Sequence, residues 1–221
     1  MKAFVTTIIF TLAIVTAGKN VYAQLTTIPV SMSPKEIPDL PTLVVHGDFG
    51  FFNHNLGDFK SVAGRLVWNP ARFSLLVGAG VLLSEKDQLD DGFTVGTALG
   101  YDVRPGTEFP WKAIIQIKGG IGYTKIAEFK QWDFPFSLGV GLFAPPPGFN
   151  VKLWGAPRLH LRISDEPGGG NSSDLGVGVS VGLALTLDTG PGFHLDGEWL
   201  KIQGHSEFAF VGGLHWDFVL F

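Results

Sequence analysis

Apolar side chains alternate with small or polar ones through most of the chain after residue 42, and this period of two strongly constrains the fold. In residues 175–187 every odd position is Leu or Val, and the even positions are Gly, Ser, Ala or Thr. Successive side chains of a strand point to opposite faces, so the pattern predicts strands with one apolar face. No segment keeps the i, i+3, i+4, i+7 spacing of an amphipathic helix, and 30 glycines also disfavour a helical bundle.

Ten segments carry this alternation, and most have the roughly 9–11 residues that a tilted strand needs to cross a bilayer. Proline-containing links alternate with mostly polar ones along the chain, which predicts an antiparallel up-and-down meander with two distinct ends. Eight strands remain the alternative if segment 61–68 is too short to span. The ten predicted strands are 43–53, 61–68, 73–84, 92–104, 111–125, 134–143, 151–164, 175–188, 193–203 and 208–221.

The composition favours a membrane barrel over a soluble one. Charged residues are only 16% of the chain, and the apolar rows run unbroken by a charge over as many as six or seven positions. The opposite rows are rich in glycine, as at Gly176, Gly178 and Gly182, whereas water-facing strands would carry Lys, Glu and Thr. Aromatic residues near the strand ends suggest two interfacial girdles, formed by Phe73, Phe93, Tyr101, Trp111, Tyr123, Phe134, Trp199, Trp216 and Phe218. The predicted fold class is therefore all-β, a transmembrane antiparallel up-and-down β-barrel.

The N-terminus has the layout of a secretory signal peptide. Lys2 is followed by an apolar run over 4–17, and Val21 and Ala23 occupy the −3 and −1 positions of a small-residue cleavage site. We therefore expect a signal peptide over 1–23. Residues 24–42 contain four prolines and predict an extended leader, which leaves 43–221 for the barrel domain.

Two further features of composition exclude classes of function. The chain has no cysteine, which excludes a thiolate metal site, a cysteine nucleophile and a disulfide scaffold. Its formal net charge is −4, which argues against nucleic acid as a partner.

The signal peptide, the even-stranded meander and the final residues WDFVLF together resemble bacterial outer-membrane β-barrel proteins, in particular small barrels of the OmpA and OmpX class. The resemblance implies outer-membrane lipid as the surrounding medium, and periplasmic chaperones and the barrel-assembly machinery as partners. It also implies that Phe218, Leu220 and Phe221 form the assembly signal of the last strand. Phe221 falls on the opposite parity from the lipid-facing residues of that strand, so it either leaves the ladder or follows a bulge.

The second parity of the strands must hold the charges, because lipid excludes them. A basic strand, a small-residue strand and an acidic strand follow one another, which predicts that Arg158 and Arg162 reach Asp196 and Glu198. Gln116 shares this inward parity with the predicted charged and imidazole lumen network, which consists of His46, Asp48, Arg65, Asp102, Arg104, Lys112, Lys118, Lys152, Arg158, His160, Arg162, His194, Asp196, Glu198, His215 and Asp217.

Because basic and acidic side chains can pair across the interior, the sequence predicts a lumen that is largely plugged. We therefore expect a structural or accessory role, with no enzymatic activity and no cofactor. A narrow solute or ligand channel and a secreted soluble carrier are the alternatives; the sequence does not identify a small ligand. A lipid-modifying enzyme is least favoured, because His205 and Ser206 are adjacent and would point to opposite faces of a strand. Lumen hydrogen bonding is favoured over a metal site for His46, Asp48, His215 and Asp217, since no compact ligand motif is present.

The resemblance of the C-terminus to an assembly signal generates the first prediction. Deletion of Phe221 is expected to lower the yield of folded barrel, because the terminal aromatic would no longer be available to the assembly machinery. The measurement is the fraction of protein with heat-modifiable gel mobility in membrane fractions. Undiminished levels of folded barrel in the deletion variant would contradict the assignment.

Overall fold

The computed structural model describes residues 41–54, 57–70, 72–84, 91–103, 112–144, 146–166, 170–202 and 204–220. Within these ranges the chain forms ten strands and no helix. The strands are β1 Thr42–His54, β2 Gly57–Asn69, β3 Phe73–Ser84, β4 Gly92–Val103, β5 Lys112–Ile126, β6 Phe129–Ala144, β7 Phe149–Glu166, β8 Gly170–Leu187, β9 Pro191–Ile202 and β10 His205–Val219. The predicted signal peptide and the leader up to residue 40 lie outside the described residues, and Thr42, expected to end the leader, begins β1.

Each strand pairs antiparallel with its neighbours in sequence, and the first strand also pairs with the last. The β1–β10 ladder runs from Thr42 opposite Val219 to Asn53 opposite Phe208. The sheet is therefore a closed barrel, which confirms the predicted up-and-down topology. It also decides the strand number in favour of ten, because β2 is 13 residues long and longer than the predicted segment.

Several strands extend beyond their predicted bounds at the barrel end opposite the one that holds Thr42 and Val219. The clearest case is β6, which begins at Phe129 although the predicted strand begins at 134. The turn before it is only Ala127 and Glu128, and Ala127 has a φ of 53°, as a tight hairpin turn requires. The residues after the turn continue the strand alternation, so the ladder proceeds up to the turn.

The outer surface of the barrel is apolar and the interior is polar, the inverse of a soluble protein. Large aliphatic and aromatic side chains face outward, among them Leu99 (65% exposed) and Leu159 (51%), whereas Arg162 inside the barrel is 1% exposed. A soluble domain buries such apolar rows and leaves arginine in water. No helix in the described residues is long and apolar enough to cross a membrane. An outward apolar band around a polar interior is the arrangement of a transmembrane β-barrel.

Outward-facing aromatic side chains contact one another near both ends of the barrel. Phe73 and Tyr101, near the end that holds Thr42 and Val219, have ring centroids 5.0 Å apart. Tyr123 and Trp132, near the opposite end, are 4.8 Å apart. Aromatic girdles of this kind mark the two membrane interfaces of outer-membrane barrels. Of the girdle residues predicted from the sequence, Trp111 lies outside the described residues.

The predicted assembly signal is only partly described. Phe218 is 44% exposed on the lipid face of β10, in agreement with its parity. Leu220 has already left the ladder, and its N–H donates a hydrogen bond to the carbonyl of Pro41 at 2.8 Å. Phe221 lies outside the described residues, so its part in the assembly signal stays a prediction.

If the apolar face of each strand contacts lipid, a charge on that face should destabilise the barrel more in the middle of the membrane than near its surface. Leu159→Arg, in the middle of β7, is expected to lower the free energy of unfolding by about 2–4 kcal/mol, because the guanidinium enters the bilayer core. The matched control is Leu187→Arg, at the end of β8 and similarly exposed (53%), where the cost falls to about 0–1 kcal/mol near the interface. Urea unfolding in lipid measures both, and equal costs at the two positions would contradict the assignment.

Candidate functional site: the barrel lumen

The structure places most of the predicted polar network inside the barrel. Arg104 lies outside the described residues, and Lys112 is described only as the first position of β5. The Asp217 side chain is 13% exposed. The remaining side chains are buried on the inner face: His46, Asp48, Arg65, Asp102, Gln116, Lys118, Lys152, Arg158, His160, Arg162, His194, Asp196, Glu198 and His215.

One predicted ion pair forms across the small-residue strand. Arg158 on β7 places Nη1 2.6 Å from Glu198 Oε1 on β9. Ser180 lies between them on β8, where it accepts a hydrogen bond from Arg158 at 3.3 Å and donates one to Glu198 at 3.1 Å. Gly178 lies opposite Arg158 in the β7–β8 ladder, and a Cβ there would meet the Trp199 carbonyl and Leu200 on β9. The small row is therefore what allows the basic and acidic strands to meet.

Arg162 does not pair as predicted. Instead of Asp196 or Glu198 it bonds Asp133 on the adjacent strand β6, with Nε 2.9 Å from Oδ1. Its Nη1 also donates to Glu207 Oε1 on β10 at 2.9 Å. The physical reason is the position of these residues along the barrel axis. Arg162 lies opposite Asp174 in the β7–β8 ladder, toward the barrel end that holds the Ala127–Glu128 turn (the hairpin end). The two acidic residues of β9 lie closer to the opposite end.

Sequence reasoning missed Asp133 and Glu207 because both fall in segments that were predicted to be polar loops. Asp133 is fully buried and also accepts hydrogen bonds from His160 Nε2 at 2.5 Å and Gln131 Nε2 at 2.6 Å. Glu207 is 1% exposed. Parity was the available signal: both residues continue the inward rows of their strands, so extending the alternation by a few positions would have found them.

A second group of charges joins the first strands to β9. Arg65 on β2 makes a two-pronged contact with Asp48 on β1, with Nε 2.5 Å from Oδ2 and Nη2 2.9 Å from Oδ1. His194 on β9 places Nε2 2.8 Å from the same Oδ1. Asp196 lies 4.0 Å from both Arg65 and His194. Two-pronged arginine–carboxylate geometry is among the stronger charged contacts in proteins, so this group fixes β1 against β2 and β9.

Two smaller contacts extend the network around the barrel wall. Lys152 on β7 lies 3.6 Å from Asp217 on β10. Gln116 on β5 donates to Asp102 on β4 at 2.7 Å. With the preceding groups, the polar network includes residues from β1, β2 and β4 to β10.

Apolar side chains also fill part of the lumen, which the sequence did not predict. One buried cluster lies toward the hairpin end, and another lies near the end that holds Thr42 and Val219. Their members are Phe52, Phe59, Leu82, Ile126, Ala209 and Val211 in the first, and Val44, Val67, Leu76 and Ala98 in the second. The polar layer is therefore flanked by apolar layers, and the interior is filled more completely than a polar network alone would fill it.

The closed ladder, the apolar outer band and the charged interior define the chain as a transmembrane β-barrel of the outer-membrane type. Similar solved structures are Neisserial surface protein A (13% identity, 80% of this chain and 97% of that one, TM-score 0.40), the outer membrane protease OmpT from Escherichia coli (9%, 85% and 99%, 0.44) and the translocator domain of autotransporter NalP from Neisseria meningitidis (9%, 83% and 90%, 0.41). No family model and no curated protein sequence matches the chain.

The bridge over β8 predicts strong coupling between its ends. Arg158→Ala and Glu198→Ala are each expected to destabilise the barrel by about 3–5 kcal/mol, because each leaves a buried charge without its partner. The double variant is expected to cost less than the sum of the two, by about 0.5–3 kcal/mol. Urea unfolding of the four proteins in lipid measures the cycle.

The matched control is the pair Lys130 and Asp165, 3.9 Å apart and about half exposed at the hairpin end. Surface pairs of this kind couple by about 0–1 kcal/mol. Strict additivity for Arg158 and Glu198, as at a solvated surface pair, would show that the two charges are separately hydrated in the lumen.

Proposed function

We propose that this protein is a structural or accessory outer-membrane barrel with a plugged lumen, which neither conducts solutes nor catalyses a reaction. The observation that carries the proposal is the contact of Arg162 with Glu207 at 2.9 Å. These residues lie on β7 and β10, which are not neighbours in the sheet, so the pair crosses the lumen. Arg65 on β2 and Asp196 on β9 approach to 4.0 Å in the same way.

The burial of these groups supports a plug over a pore. Arg162 and Glu207 are each 1% exposed. An open channel would hydrate such charges, whereas here they find protein partners and are flanked by apolar clusters. Barrels with few strands also have interiors that side chains can fill.

The arrangement of His205 and Ser206 supports the proposal that the barrel is not a lipid-modifying enzyme. Both lie at the start of β10, where His205 is exposed and Ser206 is half-buried. Successive strand residues point to opposite faces, so the two side chains diverge. The acidic residue that follows, Glu207, is held by Arg162. Its carboxylate is thus engaged inside the barrel.

The location and partners follow from the same proposal. A cleavable signal peptide over 1–23 would direct export across the inner membrane, and periplasmic chaperones would hold the chain until the assembly machinery inserts it. The outward apolar rows would then contact outer-membrane lipid. The alternative function is a narrow channel. The permeability of the purified barrel distinguishes this channel from a plugged barrel.

Liposome permeability tests the plug. The wild-type barrel, reconstituted with heat-modifiable mobility as the measure of folding, is expected to leave small-ion permeability at the level of protein-free liposomes. The triple variant Phe59→Ser, Arg162→Ser and Glu207→Ser is expected to raise it, because it removes an aromatic ring and a neutral ion pair from the interior.

The matched control replaces a pair that faces solvent. Lys130→Ser with Asp165→Ser removes the same charges outside the lumen and is expected to leave the permeability unchanged. Discrete conductance steps from the folded wild-type barrel would overturn the plug and establish the channel.

A further inference from the structure

Three histidines from different parts of the chain meet inside the barrel, near the end that holds Thr42 and Val219. His46 on β1 lies directly opposite His215 on β10 in the ladder. His194 on β9 lies opposite Gly213, two residues before His215. A ring nitrogen from each of the three lies within 4.8 Å of one from each of the others. The ring centroids form a nearly regular triangle, with sides of 5.1, 5.6 and 5.6 Å.

The outer nitrogens of two of these rings lie within hydrogen-bond distance of polar side chains. His194 Nε2 lies 2.8 Å from Asp48 Oδ1, which accepts a hydrogen bond from the tautomer that leaves a lone pair on Nδ1. The same nitrogen also lies 3.1 Å from Arg65 Nη2. Arg65 donates to the same carboxylate oxygen at 2.9 Å. His215 Nε2 lies 2.8 Å from the Thr186 hydroxyl, which can accept its proton in turn. Such outer partners orient the imidazole ligands of metal sites.

The inner nitrogens face each other at a distance that suits a metal ion. His194 Nδ1 and His215 Nδ1 are 3.4 Å apart, long for a hydrogen bond. With zinc–nitrogen bonds of about 2.0–2.1 Å, two nitrogens on a tetrahedral ion lie about 3.3–3.4 Å apart. The two rings thus already have the separation of two ligands of one ion.

The surroundings of His46 also indicate a bound ligand, independently of the distances between the rings. It is 5% exposed, and neither of its ring nitrogens has a hydrogen-bond partner among the described residues. A buried imidazole without a partner is costly, because it loses its bonds to water and gains none. A metal ion bound among the three rings would take up one of these nitrogens.

Two glycines leave the space that the rings occupy. A Cβ at position 192 would meet the Leu185 carbonyl and the His215 ring, and one at position 213 would meet the Gly47 carbonyl, His194 Cε1 at 2.7 Å and Asp48 Oδ1 at 2.8 Å. Both glycines lie on the inner face of their strands. The local backbone is thus shaped around the imidazoles.

We propose that His46, His194 and His215 form a binding site for a divalent transition-metal ion of the kind that imidazole prefers, such as Zn²⁺. The described residues offer three ligands, and water would complete the coordination shell. The charge nearby is compatible with a cation: Asp48, Asp196 and Asp217 lie in this region together with Arg65 and Lys152.

The ion would act at the seam where the barrel closes. β1 and β10 form the closing ladder, and β9 is the next strand. A metal held by one residue from each would join the first strand to the last two strands through coordinate bonds in addition to the ladder. The site would therefore stabilise closure and does not depend on whether the lumen conducts.

The experiment refolds the full-length chain with and without Zn²⁺, removes loose metal with a chelator and measures bound metal by elemental analysis. One ion per folded barrel and a higher thermal unfolding midpoint are expected. In parallel, Co²⁺ loading of the wild-type barrel is expected to give the intense visible absorption of a four-coordinate site with three nitrogen ligands and one water. This second measurement needs no variant.

Three variants test the ligands. His46→Gln and His215→Gln are expected to abolish stoichiometric binding. Thr186→Val keeps all three ligands but removes the hydroxyl that orients His215, and is expected to weaken affinity for Zn²⁺ about 10–100-fold. The matched control is His205→Gln, an exposed histidine on β10 outside the cluster, which is expected to bind as the wild type does.

Failure of the wild-type barrel to retain Zn²⁺ or to give the Co²⁺ spectrum would overturn the proposal. Retention that is equal in folded wild-type and His46→Gln protein would also overturn it, because the ion would then lie elsewhere. If the ligand variants do not fold, the Co²⁺ spectrum of the wild type and the affinity of Thr186→Val decide the outcome.

Discussion

The pairing of β1 with β10 is the interaction on which the rest of this structure depends. In hydrocarbon no water is present to satisfy a free backbone N–H or carbonyl, so a sheet can cross a membrane only when it has no open edge. The ladder from Thr42 opposite Val219 to Asn53 opposite Phe208 removes that edge. It joins segments from the two ends of the barrel domain, so the enclosed lumen exists only after the last strand is in place.

Closure then dictates where the charges lie. A strand that crosses lipid presents one row of side chains outward, and that row must be apolar, so every charge is moved to the other row. Inside a barrel of only ten strands these rows face each other at close range. Arg158 finds Glu198 over Ser180, and Arg162 finds Asp133 and Glu207. The ion pairs follow from confinement as much as from the number of charges.

Small residues decide which groups can meet. Ser180 bonds both Arg158 and Glu198 over β8, and Gly192 and Gly213 leave room for two imidazole rings. Large side chains at these positions would separate the polar groups into isolated and poorly solvated charges, which is costly in a buried setting. The glycine content of the inner rows thus serves the packing of the lumen, and the apolar layers at Phe59 and Val67 complete the filling.

The alternation in the sequence was enough to predict the barrel, the strand order and which face of each strand meets lipid, because the period of two is a local property of every strand. It also placed Arg158 inside with Glu198 in reach. It did not reveal the ends of β6 and β10, so Asp133 and Glu207 were assigned to loops. The partners of Arg162 and the meeting of His46, His194 and His215 depend on the register and on closure. Those contacts join residues far apart in the chain, and only the tertiary structure brings them to the same height and the same side of the lumen.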